Sequence, residues 1–421
     1  MKKSKEKKER PILEQFLIRT IIFIFIVLVL CSTFFFREKV ERLVNYAYNY
    51  DAPASVIDKD GLIVHFVDVG QADSTIIQFP TGEIMIIDTG DSNEKSSTKF
   101  KNYLNTIDFK KDGGEPVIDF LILTHPDSDH IGNAEYVFEN FLVKNCYLPQ
   151  IYPNTPEYSL IPNAVYRKKD KEKDIYESLF SALENEVSVS GCNKIFASEG
   201  LSIKSSSYDE KEQASNNQMW ILDFFAPISG SEYTQSKTSN LAVTNNYSPI
   251  MILNYLNKKI MFTGDASQTV EKEFVAKVQN NEYSYDAGYF DVDILKIGHH
   301  GSATSSCTEF LNIVKPEFAI ASAGKGNKHG HPSSRALERL KESGINPYNI
   351  YRTDINENIA MGVSLTGEIA LEANHLQYVK VEFKLWQIIL IAGGVSAIII
   401  YSPYTVKIAK YKKFKKGKSE K

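Results

Sequence analysis

The segment Thr124-His125-Pro126-Asp127-Ser128-Asp129-His130 constrains this chain more than any other. It ends the apolar run Val117–Thr124 (VIDFLILT), which reads as a buried strand. Two histidines and two aspartates fall within six residues, in a 421-residue chain that holds eight histidines. Imidazole and carboxylate together suit divalent ions such as Zn²⁺ or Mn²⁺. Residues 125, 127 and 129 alternate, so their side chains converge if the chain turns off the strand end. A fold that satisfies this leaves one strand end open to a polar pocket.

The other polar clusters follow the same rule. Asp88-Thr89-Gly90 ends the run Glu83–Asp88, and Thr263-Gly264-Asp265 ends Lys259–Phe262. His299-His300-Gly301-Ser302 follows Ile294–Ile297, and His329-Gly330-His331-Pro332 follows Phe318–Ser322 after a glycine-rich loop. Open sheets place their sites at such strand ends. His65, inside a strand, and His375, near the C-terminal apolar run, fall outside the pattern and read as structural.

Leu62–Val69, Ser74–Phe79 and Glu83–Asp88 predict a strand meander, and Asn133–Phe141 a helix. Met251–Tyr255 and Lys259–Phe262 predict a hairpin about Leu256-Asn257; Pro332–Ser343 predicts a helix, and Asn349–Thr353 and Ala360–Ala373 predict closing strands. Residues 145–240 are polar with weak periodicity and read as a variable insertion carrying a helix at Ile175–Asn185. Strands mixed with helices, without regular βαβ units, predict an α+β class with helices on the outer faces of sheets. At 43% hydrophobic and 24% charged, the composition excludes a disordered or collagenous chain.

The two ends differ from the body. Thr20–Phe36 is 17 uncharged residues, about 26 Å as a helix, and Phe16–Ile18 extend it if Arg19 snorkels. No small-x-small cleavage pattern follows it, so an uncleaved anchor is favoured over a signal peptide. Leu385–Val406 is 22 uncharged residues, about 33 Å, with Trp386 at its start and Tyr401 and Tyr404 near its end. Residues 1–10 carry a net +4, 401–421 a net +7 and 380–400 a net +1, with 11–51 balanced, against −4 for the whole chain, which leaves −16 on 52–379. The positive-inside rule then predicts a two-pass protein of the cell membrane. Basic cytoplasmic tails at 1–15 and 407–421 would flank spans at 16–36 and 385–406, with 52–379 extracytoplasmic. Cys146, Cys192 and Cys307 show no metal-site spacing and cannot all be paired with one another.

Seven stretches, in order, resemble the metallo-β-lactamase-fold hydrolases, and among these the extracytoplasmic hydrolase domain of ComEC-type competence proteins. They are FVDVGQADS at 66–74, IIDTG at 86–90, LTHPDSDHIGN at 123–133, NNYSPIMIL at 245–253, FTGDAS at 262–267, LKIGHHGSATSS at 295–306 and HGHP at 329–332. The resemblance implies an αββα sandwich with a dinuclear metal site, two divalent ions of Zn or Mn, at one edge. It implies that His125 and Asp127 bind one metal, that Asp129 and His130 bind the second with His299 or His300, and that Asp265 bridges. Asp88 would orient ligands from behind. Asn245 or Asn246 stands where lactamases carry a further histidine, Asp127 replaces a histidine, and Ala72 replaces the usual glycine. Two such cations hold a bridging hydroxide, which Asp129 would orient. His331, or the spare member of the 299/300 pair, would contact a phosphate oxygen or protonate the leaving group. Ser302 and the Gly324–Asn327 loop would offer further donors to an anion.

The resemblance implies a phosphodiesterase or nuclease, with single-stranded DNA as one candidate substrate. Lys296, Lys325, Lys328 and the run Arg167–Lys173 (RKKDKEK) are the candidate basic groups near the mouth. The −16 body argues instead for a smaller or zwitterionic envelope phosphodiester, such as a phosphorylcholine or teichoic-acid-like polymer. A non-catalytic envelope module is a third reading, which the intact His-Asp set disfavours. The DNA-uptake channel of the family that the chain resembles has many spans, and only two apolar runs occur here, so this protein is not expected to be the channel itself.

Overall fold

The computed structural model describes residues 12–35, 57–152, 171–206, 208–209, 211, 216–228 and 244–373. The alternation of the strands decides the layers. The body begins with β1 (Leu62–Phe66), β2 (Thr75–Gln78) and β3 (Ile84–Ile87), an antiparallel meander as the sequence predicts. There follow β4 (Lys111–Asp112), β5 (Glu115–Ile118), β6 (Phe120–Ile122), β7 (Leu142–Val143), β8 (Asn145–Leu148) and β9 (Asn193–Phe196). A second set comprises β10 (Ser202–Lys204), β11 (Trp220–Phe224), β12 (Met251–Tyr255), β13 (Lys258–Phe262), β14 (Ile294–Lys296), β15 (Phe318–Ala321) and β16 (Ile350–Arg352). The chain returns to the first sheet with β17 (Ile359–Val363) and β18 (Ile369–Ala373).

The eight-stranded sheet runs β18-β17-β1-β2-β3-β6-β8-β9 and the seven-stranded sheet runs β10 through β16 in sequence order. Inward residues of the first sheet (Leu62, Val64, Phe66, Met85, Ile87, Phe120, Ile122) meet those of the second (Leu222, Phe224, Met251, Leu253, Ile260, Phe262) in one apolar layer. The period-2 rule sends the residues between them outward. Ile84, Ile86 and Leu121 face Phe100, Leu104, Val137 and Tyr176 on helices Glu94–Leu104, Ala134–Asn140 and Lys171–Ser190. Ile252, Met261 and Leu295 face Phe274, Phe310 and Leu340 on helices Gln268–Gln279, Thr308–Val314 and Ser334–Glu342. Helix, sheet, sheet, helix is the αββα sandwich the sequence motifs imply.

Several elements differ from expectation. The run Val117–Thr124 is two strands, not one, broken at Asp119. The Asp119 carboxylate accepts from the Ile84 amide at 3.0 Å and from Lys144 at 2.9 Å. Ala360–Ala373 is likewise a hairpin, β17–β18, turned at 364–368 with Gly367 at φ 83°. The helix expected at Ile175–Asn185 extends over Lys171–Ser190; only its buried positions Tyr176, Leu179, Phe180 and Leu183 carry the periodicity that sequence can read. Helix Ser334–Glu342 starts after Pro332 because Ser333 caps it, accepting from Ala336 at 3.2 Å. Leu256 and Asn257, at φ 49° and 62°, make the expected two-residue hairpin turn.

Ala54–Gln377 forms one compact unit, and Met1–Pro53 with Tyr378–Lys421 another. In the latter, the N-terminal apolar run lies in the helix Ile12–Phe35. Among the described residues no helix is long and apolar enough to cross a membrane. The expected span at 385–406 and the tails 1–11 and 407–421 lie outside the described residues, as do 153–170 and 229–240 of the 145–240 segment.

Trp220 is the largest fully buried side chain of the layer between the sheets. It stacks on Phe79 at 3.9 Å between centroids, meets Phe120 edge-on at 5.5 Å, and donates its indole N–H to Glu83 at 3.1 Å. Trp220→Ala is expected to lower the unfolding free energy by about 3–5 kcal/mol, read as a drop in the denaturant midpoint.

Candidate metal centre

Both sheets are parallel where the site lies. β3 pairs with β6, and β13 with β14, in parallel. The loops leaving these four strands carry Asp88, the 124–130 segment, Asp265 and the His299-His300 pair. Hydrogen bonds tie the loops together: Asp88 N–H donates to Ile122 O at 2.9 Å, Thr89 N–H to His130 O at 2.6 Å, and His299 N–H to Gly264 O at 3.0 Å. Gly132 lets the short helix Ser128–Ile131 press against the Asp91-Ser92 backbone, where a Cβ would stand 2.1 Å from Ser92 N.

Asp265 is the centre of the cluster. Its carboxylate lies 3.3 Å from His130 Nε2, 3.5 Å from His299 Nε2, 3.8 Å from His300 Nε2 and 3.9 Å from His125 Nε2. Asp127 stands 4.0 Å from His125, and Asp129 stands 3.2 Å from His300 Nε2. The seven residues expected to hold metal therefore meet. His125 stands with Asp127 and His300 with Asp129, and all four histidines lie within 4 Å of Asp265.

Asp88 sets the imidazoles behind this cluster. It adopts φ 60° and accepts three hydrogen bonds: from Thr124 N at 2.8 Å, Thr124 Oγ1 at 2.8 Å and His130 Nδ1 at 2.7 Å. His130 thus carries its proton on Nδ1 and turns a lone pair on Nε2 toward Asp265. The Thr124 hydroxyl proton is committed to Asp88, so its oxygen accepts from His125 Nδ1 at 3.1 Å. His300 Nδ1 donates to Ser322 O at 3.0 Å. In the neutral rings, three imidazoles then present unprotonated Nε2 atoms to one point.

Of the two asparagines, Asn245 is at the centre: its amide lies 3.4 Å from Asp265 Oδ2 and 3.5 Å from His299 Nδ1. Asn246 instead accepts from Ser267, the cap of helix Gln268–Gln279, at 2.6 Å. His331 rings with His299 and His300 at centroid distances of 5.5 and 6.3 Å. Gln71 Oε1 accepts from Gly324 N at 3.0 Å, which points its amide N–H at His331 Nδ1, 3.5 Å away. His331 Nε2–H is then the outward donor. Burial, with the neighbouring imidazoles, holds His331 down to about 4, so the ring is neutral at pH 7.

Three expected anion contacts are corrected. Asn327 spends its amide on Gly324 O and His331 O, and the Ser302 hydroxyl pairs with Thr304 at 2.9 Å, so both shape loops. Lys296 is not at the surface; it is 3% exposed and ion-paired with Asp73. A lysine ending a sheet strand points inward when its alternation does, and sequence gives no sign of the partner. Lys325 and Lys328 are exposed, and Arg167–Asp170 lie outside the described residues. Asp73, in the β1–β2 loop, is the residue sequence reasoning missed. It groups with His130, Asp265 and His300, all four with ligand atoms within 4.8 Å of one another. Its place inside FVDVGQADS was the available signal.

The residues fit a divalent cation. His130 Nε2, Asp265 Oδ1 and Asp73 Oδ1 are buried with no hydrogen-bond partner among the described residues, which is costly for apposed polar atoms unless a cation lies between them. Burial opposes ionisation of Asp265, but the His130, His299 and His300 rings outweigh it and hold the carboxyl well below its usual range. Burial likewise opposes the charged form of His130, and Asp265 and Asp88 overcome it, raising the ring well above its usual value. Asp265→Ala and His130→Ala should each lose at least one equivalent of bound metal by elemental analysis. Asp88→Asn, which keeps every donor, should weaken metal binding about 10–100-fold.

The Metallo-beta-lactamase superfamily profile matches residues 67–227. ComE operon protein 3 of Bacillus subtilis (strain 168) is 28% identical over 306 residues, covering 70% of this chain and 32% of that protein. Competence protein ComA of Neisseria gonorrhoeae is 36% identical over 108 residues, covering 26% of this chain and 14% of its own length. Recombination protein 2 of Haemophilus influenzae (strain ATCC 51907 / DSM 11121 / KW20 / Rd) is 25% identical over 142 residues, 34% of this chain and 16% of that one. The chain thus spans about a third or less of the length of the curated relatives it matches. Residues 67–227 thus carry a metallo-β-lactamase domain, and with its αββα fold and buried His-Asp cluster the chain resembles the ComEC-type competence proteins over the part it shares with them.

Proposed function

We propose that this chain is a membrane-anchored, metal-dependent phosphodiesterase whose first substrate class is nucleic acid outside the cytoplasm. The observation that carries the reading is Asp265 within 4 Å of four imidazoles, flanked by Asp127 and Asp129. His125, Asp127 and His299 would hold one divalent cation, Asp129, His130 and His300 the other, and Asp265 both. Bound there, two cations supply a water nucleophile active at neutral pH and charge stabilisation for a phosphoryl oxygen. Asp88 keeps His130 in the ligating tautomer. Asn245 offers an amide donor where a lactamase has a histidine. His331, neutral and held by Gln71, donates from Nε2 to a phosphate oxygen and is not itself a proton source at pH 7.

One relative is named Recombination protein 2, and recombination is a process of nucleic acid, which supports the substrate class. The exposed Lys325 and Lys328 lie on the loop that leads to His331, and are the basic groups a phosphodiester would meet there under this reading. A second reading, an envelope esterase acting on phosphorylcholine or teichoic-acid-like phosphodiesters, is favoured by the −16 charge of residues 52–379. Anchoring is supported by helix Ile12–Phe35, on which Leu17, Ile21, Ile22, Ile24, Phe25 and Leu28 are exposed.

The deciding experiment is a substrate panel on the purified chain with Zn²⁺ or Mn²⁺. It comprises single-stranded DNA, bis-p-nitrophenyl phosphate, p-nitrophenyl phosphorylcholine and a lactone. Phosphodiester hydrolysis is expected, and DNA binding should fall by about 0.7 log units per log salt for each phosphate contacted. Replacing Lys325 and Lys328 with Gln should flatten that slope. Hydrolysis of the phosphorylcholine ester without salt-dependent DNA binding would move the assignment to the envelope reading. For topology, protease added to intact cells should cut the body; a body spared until lysis would reverse the orientation.

A further inference from the structure

The buried pair Asp73–Lys296 has no part in the ligand set that the sequence motifs imply. Asp73 leads into β2 of the first sheet, and Lys296 ends β14 of the second. The Asp73 backbone is fixed to two loops of the site, donating to Asp129 O at 3.0 Å and accepting from Gly90 N at 2.8 Å. Its side chain is 2% exposed. One carboxylate oxygen, Oδ2, pairs with Lys296 Nζ; the other, Oδ1, is buried with no hydrogen-bond partner among the described residues. An ion pair that served only to join the two sheets would have both oxygens satisfied, because an unpaired lone-pair site on a buried carboxylate is expensive.

We propose that Asp73 is a further metal ligand, closing the shell of the cation on the His130, Asp265 and His300 side, with Lys296 as its charge partner. This rests on the reading of the cluster as a divalent metal centre. The four residues offer ligand atoms within 4.8 Å of one another. Donors at about 2.0–2.2 Å from one ion stand at most about 4.4 Å apart, so a contraction of a few tenths of an ångström closes the group around a cation. Lys296 has two effects. It holds Oδ2, which leaves a single oxygen for the metal, and it offsets the third carboxylate that Asp73 adds to Asp129 and Asp265. The ligand shell and the contact between the two sheets are then the same structure, so metal binding should fasten the β1–β2 loop to β14.

The full chain, purified in detergent and stripped by chelator, is titrated with Mn²⁺ and separately with Zn²⁺. Bound metal is read by equilibrium dialysis with elemental analysis, and the metal-induced rise in melting temperature is measured alongside. The wild-type chain should bind two equivalents. Asp73→Asn should lose one equivalent or hold it at least tenfold more weakly, with a smaller melting shift. Lys296→Met should keep both equivalents, since the carboxylate remains. The double variant Asp73→Asn/Lys296→Met, which leaves no uncompensated buried charge, should bind metal as Asp73→Asn does and guards against misfolding of the single variants. Two equivalents at wild-type affinity in both Asp73 variants, with equal losses of apo stability for Asp73→Asn and Lys296→Met, would make the pair structural and overturn the proposal. A wild-type chain that binds no metal would overturn the metal-centre reading itself, a separate outcome.

Discussion

The contact on which the site depends is the Asp88 carboxylate accepting from the Thr124 amide, the Thr124 hydroxyl and His130 Nδ1 at once. It fixes the first loop of the cluster to the end of β3, and through the Thr124 oxygen it also orients His125. Charge-assisted bonds of this kind are the strong ones in a protein interior. They hold Asp88 in a left-handed backbone conformation that a non-glycine residue rarely adopts. His299 and His300 share that conformation, at φ 51° and 54°. Three left-handed non-glycine residues in one cluster are the mark of a site whose geometry is imposed by its surroundings.

The sandwich makes this concentration of polar groups tolerable. Each sheet has a parallel pair near its middle, so four strand ends open on the same edge, while the layer behind them is apolar from Leu62 to Val363. Asp265, His130 and His300 are nearly inaccessible to solvent. Burying several carboxylates and imidazoles together is unfavourable unless opposite charges or cations compensate. Part of the compensation is visible: Asp129 against His300, Asp265 against His130, and Asp73 against Lys296. The buried Nε2 and Oδ atoms left over are the ones a divalent ion would satisfy.

Around the edge of the site the polar groups divide their work. Asn327, Ser302 and Asn246 spend their hydrogen bonds on loop and helix geometry. Asn245 keeps its amide turned toward Asp265, and Gln71 turns its amide toward His331. That division separates a rigid frame from the few groups able to meet a substrate.

The amino-acid sequence alone determined the layers and the ligand types. Near-continuous apolar runs such as LIVHF, IMII and MILNY give strands covered on both faces, and His or Asp after each apolar run marks the site edge, because both signals are local. The strand breaks at Asp119 and at 364–368 were not legible: each is made by partners or turns that the apolar pattern does not record. Nor could sequence choose between Asn245 and Asn246, since adjacent residues differ only in which way a 3-10 turn points them. Asp73 and Lys296 lie 223 positions apart, and their pairing exists only because the two sheets are folded face to face. Spacing along the chain fixed which side chains were available; the long-range packing of one sheet on the other decided which of them share a charge.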